Sequence, residues 1–283
     1  MIKGFKKYAG HLYHRIDYSV GKSVYGNTTG LKNNFSGSLQ KMGRSYKTPE
    51  AERLTKDGFL QLGKIYDEKL ILEIKKKYDI MIEDDKYSFA RVSHNGNVYN
   101  RQLSNDPCPI PEFSQLLNSK IKNIMSDYFN GNFQIKRIQV SRNYHIPKEI
   151  LEEREFYSDH WHCDNRDTDS FWKIFILLSD VTEQDGPLHL IPQPRTKELM
   201  KMGFKTRTNY GLTDDELYDE QFLVKHTGEI GTVVIGNPTI CLHKAGVPVK
   251  GHHRDMIYLM LGRSDEPPRD DWIIHQDSNK IYD

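Results

Sequence analysis

The chain lacks the features that mark secreted or membrane-spanning proteins. Its three cysteines, Cys108, Cys163 and Cys241, are odd in number and form no C-x-x-C pair, so no disulfide framework is indicated. No apolar run reaches the ~18 residues of a transmembrane helix, and no signal-peptide core follows the first residues. We therefore expect a cytoplasmic protein, and 283 residues are enough to build a core without disulfides.

A large net charge is also missing, although the charge is unevenly distributed. The net charge is +1, so the overall balance predicts no nucleic-acid partner. Residues 1–48 nevertheless carry nine Lys or Arg against a single acid, Asp17, and seven of the twenty glycines. We interpret residues 1–47 as a basic, Gly-rich extension that is either weakly ordered or in peripheral contact with an anionic partner or a membrane surface.

The hydrophobic pattern of residues 48–283 changes near Gly131. Before it, helical signals dominate: a helix start at Thr48-Pro49, an amphipathic helix over about 67–82 with Leu70, Ile74, Tyr78 and Met81 on one stripe, and one helix over about 111–129. After it, short β-type runs lie between turn residues, at 133–144, 172–178, 188–191, 231–235 and 256–261. The pattern predicts a single domain with helices first and then a mainly antiparallel β core at about 132–262.

Three residues have the spacing of an iron site. His162 and Asp164 lie two residues apart, so both side chains project from one face of an extended strand. His243, at the predicted end of a short strand that follows a turn, supplies a second imidazole. Two histidines and a carboxylate bind one face of non-haem Fe(II) and leave positions open for a cosubstrate and O2. His160 shares the predicted face, so it remains either a ligand or a residue that orients the ligands.

Arg254 and three polar residues suggest where a cosubstrate would bind. A buried guanidinium needs an anionic partner, and its planar fork suits a carboxylate. The alternative is an arginine paired with solvent or with Asp255. Gln139, Ser141 and Asn143 share one face of the 133–144 strand. That face is either the inner wall of a barrel, in contact with the cosubstrate, or a solvent face.

A sixteen-residue stretch is more specific than any single ligand. Residues 177–192 run through a strand, an acidic turn with Gly-Pro-Leu and a second strand that ends in Ile-Pro. Together with the segment His160–Asp164, His243 and Arg254, this stretch resembles the phytanoyl-CoA dioxygenase family of Fe(II)/2-oxoglutarate oxygenases. The resemblance covers roughly residues 54–262.

The resemblance implies a fold and a set of site residues. The implied fold is mainly β with flanking α-helices: a double-stranded β-helix, also called a jelly roll, of the cupin-like kind. His162, Asp164 and His243 would be the catalytic iron ligands, and Arg254 would anchor the cosubstrate 2-oxoglutarate. The implied reaction consumes O2, releases succinate and CO2, and hydroxylates an unactivated C–H bond.

Two positions depart from the family pattern, and one argues against a related activity. Gln193-Pro194-Arg195 stands where the family usually has Gly-Ser-His, and Ala245 stands where a serine often helps to hold 2-oxoglutarate. Asp164 argues against the related halogenases, which have a small residue at this position so that halide can bind the iron.

The substrate is predicted only by class. The loops at 165–171 and 205–221 and the segment after Pro192 are expected to build the pocket, and they favour a small polar or anionic molecule. The candidate substrate residues are Arg166, Trp172, Lys173, Arg195, Arg207 and Tyr210. Two alternatives remain: a non-catalytic β-helix domain that binds a sugar or a surface partner, and a cupin-like iron or zinc enzyme that does not use 2-oxoglutarate.

Overall fold

The computed structural model describes residues 45–104, 110–151, 156, 158–164, 171–204 and 219–268. Most of the basic extension therefore lies outside the described residues. The α-helices are α1 (Pro49–Asp57), α2 (Glu68–Ile82), α3 (Ser119–Phe129), α4 (Lys148–Leu151) and α5 (Gln193–Met202), with 3-10 helices at Pro111–Leu116 and Glu183–Asp185. The strands are β1 (Phe59–Lys64), β2 (Ser88–Val92), β3 (Val98–Leu103), β4 (Phe133–Tyr144), β5 (Trp172–Leu177), β6 (Leu188–Leu190), β7 (Val224–His226), β8 (Thr232–Gly236), β9 (His243–Ala245) and β10 (His253–Arg263).

The strands form two antiparallel sheets. The major sheet has seven strands in the order β1-β8-β5-β10-β4-β3-β2, and the minor sheet has three in the order β7-β6-β9. The long pair β4 and β10 lies within the major sheet, where Arg254 is opposite Asn143 and Met256 is opposite Ser141. The major sheet also includes β1 to β3, so it draws strands from before residue 132.

The two faces of the major sheet bury different layers. On β5, Ile174 and Ile176 join the core cluster that contains α1, α2 and α3, while Phe175 and Leu177 join a second cluster. That second cluster includes Leu188 and residues of β8 and β10, so it fills the space between the two sheets. Because alternate residues of a strand point to opposite faces, the helices cover the outside and the sheets enclose an interior.

The buried carboxylate of Asp255, on the outer face of β10, forms an ion pair with β4 and a hydrogen bond with α2. Arg142 donates from Nε and Nη2 to the two carboxylate oxygens of Asp255 at 2.7 and 2.9 Å, and the Tyr78 hydroxyl donates to Asp255 at 2.9 Å. Burial alone would raise the pKa of Asp255, but hydrogen bonds from Arg142 and His253 lower it to about 2. Asp255 therefore cannot be the partner of Arg254, because its side chain is bound on the opposite face of the major sheet.

The predicted helices are confirmed at their ends but differ in detail. Thr48 caps α1, and its side chain accepts a hydrogen bond from the Ala51 amide. The fully buried residues of α2 are Ile71, Ile74, Tyr78 and Ile82. The predicted Leu70 and Met81 are partly buried and pack against the same core. The single helix expected over 111–129 was wrong. A 3-10 helix ends at Leu116, and Asn118 caps the separate helix α3.

The strand predictions hold best where the strands are long. The boundaries of β4 match the predicted 133–144 segment, whereas β2, β3, β7 and helix α5 were not predicted. His243 begins β9 and does not end a strand, because the residues before it form the turn in which the amides of Ile240 and Cys241 donate to the Asn237 carbonyl.

Candidate metal centre

The H-x-D segment is held beside β9 by backbone pairing. The amide of His162 donates to the His243 carbonyl at 3.0 Å, and the His243 amide donates to the His162 carbonyl at 2.9 Å. This antiparallel bridge places the two imidazoles side by side, with ring centroids 4.2 Å apart. Both rings are buried, with the residues 1% and 5% exposed respectively.

Backbone carbonyls select the same nitrogen of both histidines for metal binding. Nδ1 of His162 lies 2.8 Å from the His160 carbonyl, and Nδ1 of His243 lies 3.1 Å from the Cys241 carbonyl. A carbonyl only accepts hydrogen bonds, so in each neutral ring the proton is on Nδ1 and the lone pair is on Nε2. Burial, with His162 close by, lowers the pKa of His243 to about 3, so this ring is neutral near pH 7.

Asp164 completes the group. One carboxylate oxygen, Oδ1, lies 3.6 Å from Nε2 of His162 and 3.8 Å from Nε2 of His243. Two donors that each bind one ion at ~2.1 Å are at most about 4.2 Å apart, so these distances suit a shared ion. Within the described part of the chain, this is the single group of three or more His, Cys, Asp or Glu side chains that is arranged to hold a metal.

Lys173 occupies the second oxygen of the same carboxylate. Its Nζ lies 2.7 Å from Asp164 Oδ2, so Oδ1 alone is left to face the histidines. Burial alone would raise the pKa of Asp164, but Lys173 and the two histidines hold it well below its usual range. The carboxylate is thus ionised and has one oxygen free to bind a metal.

Arg254 lies in the interior without an acidic partner. It is 1% exposed, and its Nη1 donates one long hydrogen bond, 3.3 Å, to the Gly246 carbonyl. Its Nε has no hydrogen-bond partner, and no carboxylate of the described residues lies within 4.0 Å of the guanidinium. A buried charge with so few contacts is costly, which makes this guanidinium a candidate to bind an anionic group.

The predicted polar residues of β4 lie on the Arg254 face. In the pairing of β4 with β10, Asn143, Ser141 and Gln139 stand opposite Arg254, Met256 and Tyr258. Ser141 and Asn143 are buried, so this face is the inner wall and not a solvent face. The sequence analysis missed two further polar residues of this wall, Asn100 and Gln102 of β3, which pair with Asn143 and Ser141.

The remaining candidates are placed differently. His160 is exposed, and it contributes its backbone carbonyl, not its ring, to the site. Trp172 lies on the outer face of β5, where it packs edge-on against Tyr128 at 4.6 Å. Arg195, on α5, pairs with Glu198 and lies over the Phe222 ring. The candidates Arg166, Arg207 and Tyr210 lie outside the described residues.

A glycine explains the shape of the most specific stretch of the sequence. Gly186 has φ +64°, and a Cβ there would lie 2.5 Å from backbone atoms of Val247 and Pro248. A larger residue would push the turn before β6 away from the segment that follows β9. This segment includes Gly246, which binds Arg254, so the Gly-Pro-Leu turn supports the interior directly.

The architecture defines the class of protein as a double-stranded β-helix with a His-Asp-His group in its interior. Three solved structures share the fold. The epimerase SnoN from nogalamycin biosynthesis, with Fe3+, alpha ketoglutarate and nogalamycin RO, has a TM-score of 0.55 and 11% identity over 82% of this chain and 90% of that chain. EctD from S. alaskensis, with 2-oxoglutarate and 5-hydroxyectoine, has a TM-score of 0.55 and 15% identity, over 81% of this chain and 84% of that chain. The carbocyclase SnoK from nogalamycin biosynthesis has a TM-score of 0.53 and 13% identity, over 78% of this chain and 85% of that chain.

These comparisons identify the fold and not a family. No protein-family model matches the sequence. No curated protein matches it. None of the helices that the structure describes has the length and apolar character needed to cross a bilayer.

Proposed function

We propose that this protein is a non-haem Fe(II)- and 2-oxoglutarate-dependent oxygenase. The observation that carries the proposal is the pairing, in one β-helix interior, of a His-Asp-His group with a buried arginine that lacks an acid. The first set matches the donors that Fe(II) takes from two histidines and a carboxylate. The second matches the distal carboxylate of 2-oxoglutarate.

Each residue has a defined role in this proposal. Nε2 of His162, Nε2 of His243 and Oδ1 of Asp164 would hold Fe(II), and Arg254 would hold 2-oxoglutarate, with Gln139, Ser141 and Asn143 along the adjacent wall. Bound iron with 2-oxoglutarate and O2 supplies oxidative decarboxylation, giving succinate and CO2, coupled to oxidation of a C–H bond. The chain orients these partners and excludes water through the apolar residues between the sheets.

The resemblance to the phytanoyl-CoA dioxygenase family supports hydroxylation as the outcome. The fold also occurs in proteins described as an epimerase and a carbocyclase, so the fold alone does not choose among outcomes. Asp164 is present and ionised, which favours oxygenation over halogenation.

The proposed substrate is a small polar or anionic molecule. Its support comes from the basic and polar side chains of the predicted pocket loops, 165–171 and 205–221, most of which lie outside the described residues. Lys173 and Arg195 do not add support, because each is paired with an acid of the chain.

An anaerobic titration with Fe(II) and 2-oxoglutarate tests the proposal. A visible charge-transfer band of the chelate should appear for the wild-type protein and be absent for His162→Ala. Arg254→Met should retain Fe(II) but need about 100-fold or more 2-oxoglutarate, since one buried charge-assisted pair is lost. Arg195→Met, on the exterior helix α5, serves as the matched control and should titrate like the wild type.

Two outcomes would contradict the proposal. Bound metal without the band would favour a cupin-like enzyme that does not use 2-oxoglutarate. Failure to bind metal at all would favour a non-catalytic binding domain.

A further inference from the structure

A third histidine lies in the interior and is explained by none of the roles above. His226 of β7 is 0% exposed, and neither of its ring nitrogens makes a hydrogen bond of good geometry among the described residues. His162 and His243, in contrast, each bind a backbone carbonyl through Nδ1. A buried donor without a good partner is unfavourable, so this ring is expected to bind a group that completes the interior.

The register of the minor sheet places His226 beyond the metal ligands and on the side of Arg254. One row of the sheet contains Leu190 and His243, and the row two residues along contains His226, Leu188 and Ala245. Residues two apart share a face and are separated by about 7 Å. Arg254 binds the carbonyl of Gly246, the residue after Ala245, so the second row lies at the Arg254 end of the interior.

Charge and burial agree with this position. Burial lowers the pKa of His226 to about 3, with a further lowering by the charge of Arg254, against the opposing effect of a backbone hydrogen bond with Thr232. The ring is therefore neutral near pH 7, with one N–H donor and one acceptor. Arg254 brings an unpaired Nε–H to the same region, and Ala245 offers no polar side-chain atom. Two incompletely paired donors beside the apolar residues Leu188 and Met256 fit a carboxylate acceptor.

We infer that His226 donates a hydrogen bond to the distal carboxylate of 2-oxoglutarate and shares this group with Arg254. The inference rests on the proposed function and adds a residue to it. The chelating keto-acid end would lie at the metal ligands, and the distal end would lie one row deeper.

The test compares two oxoacids that chelate metal through the same end. 2-Oxoglutarate has the distal carboxylate, and 2-oxobutyrate does not. Anaerobic titrations of the Fe(II)-loaded protein, followed by the charge-transfer band, give a Kd for each. His226→Leu should weaken 2-oxoglutarate binding by about 10- to 100-fold, the usual effect of one lost hydrogen bond to a charged group, and should leave the Kd of 2-oxobutyrate unchanged. His226→Gln, which keeps a donor, should recover part of the loss.

His189→Leu is the matched control. His189 lies in β6 on the opposite face, where its ring stacks on Trp161, so its replacement should leave both Kd values unchanged. An unchanged 2-oxoglutarate Kd in both His226 variants would overturn the inference while leaving the oxygenase function intact. Equal weakening of both oxoacids would overturn it too, because it would show a purely structural role. Absence of the band in the wild type would instead overturn the proposed function.

Discussion

Single hydrogen bonds determine how the side chains of the candidate metal centre are oriented. In both His162 and His243, the Nδ1 proton is held by the carbonyl of the residue two positions earlier. In Asp164, Lys173 binds one oxygen and leaves the other for metal. The spacing H-x-D predicts which side chains converge, but not these partners, because the carbonyls of His160 and Cys241 and the amine of Lys173 are positioned only by the fold.

Lys173→Met tests the role of this pairing. Without the ammonium, the Asp164 carboxylate loses the partner that fixes its orientation, and residues that hold a ligand in this way are typically worth about 10- to 100-fold in metal affinity. We expect the Kd for Fe(II) to rise within this range while the fold is retained. Competition with a metal-binding dye under anaerobic conditions measures it.

The control for this experiment is Lys244→Met. Lys244 lies over the Trp161 ring, on the exterior of the minor sheet, so its removal should leave the metal affinity unchanged. A Lys173→Met protein that binds Fe(II) as tightly as the wild type would show that Asp164 is oriented by the backbone alone.

At the scale of elements, the contact between α2 and β10 depends on a buried charge. Asp255 is 0% exposed and is bound by Arg142 and Tyr78. Arg142→Met would leave the carboxylate buried without its main partner, which typically costs about 3 kcal/mol or more. Urea denaturation should show this loss, whereas Lys77→Met, which breaks the more exposed pairs with Glu73 and Glu112, should cost much less. Equal losses in the two variants would refute the special role of Asp255.

The elements also show what the sequence can and cannot predict. Long periodic segments such as 133–144 were assigned correctly, because alternation over twelve residues has one interpretation. The helix at 111–129 was assigned too long, because the apolar spacing continues through Leu117 although the backbone changes direction there before the Asn118 cap. The strands β2 and β3 were not predicted, because their alternation of apolar and polar residues is weak. Charged and polar residues lie on both faces of these strands, and Asn100 and Gln102 are buried although they are polar.

The whole molecule should lose stability in mild acid, and His226 should account for part of the loss. The pKa of His226 is about 3 when folded and 6.5 in its ordinary state, so the unfolded chain takes up a proton below pH 6.5 that the folded protein does not. The contribution of neutral His226 to the free energy of unfolding is fully present above pH 6.5 and declines as the pH falls toward 3. The decline between pH 7 and pH 5 is about 2 kcal/mol. Asp255 adds a later decline, below its ordinary 3.8 and down to about 2.

Urea denaturation of the metal-free protein at pH 7 and pH 5 tests this dependence. His226→Leu should reduce the difference between the two pH values by about 2 kcal/mol. His160→Leu, whose ring is exposed, should retain the wild-type difference. An unaltered pH dependence in His226→Leu would mean that this ring is protonated in the folded protein.

At the scale of the whole molecule, the candidate metal-binding residues were easier to predict from the sequence than the residues that would bind the cosubstrate and the substrate. The candidate metal ligands lie within short segments on neighbouring strands, so spacing together with the family resemblance was enough to select them, although spacing alone left His160 as an alternative. His226 has no motif, since its importance comes from the pairing of β7 with β6 and from the distant Arg254. The pocket loops have no periodic pattern from which their side-chain positions could be inferred.

Adjacent residues of β10 serve opposite layers of the molecule. Arg254 points inward toward the proposed cosubstrate, and Asp255 points outward to Arg142 of β4 and to Tyr78 of the helical layer. A peptide unit that is fastened on one side limits the movement of the side chain on the other. Changes on the outside, such as Tyr78→Phe, are thus expected to alter the proposed 2-oxoglutarate affinity without contacting the interior, and natural variation in α2 becomes a means of tuning the candidate site from the exterior.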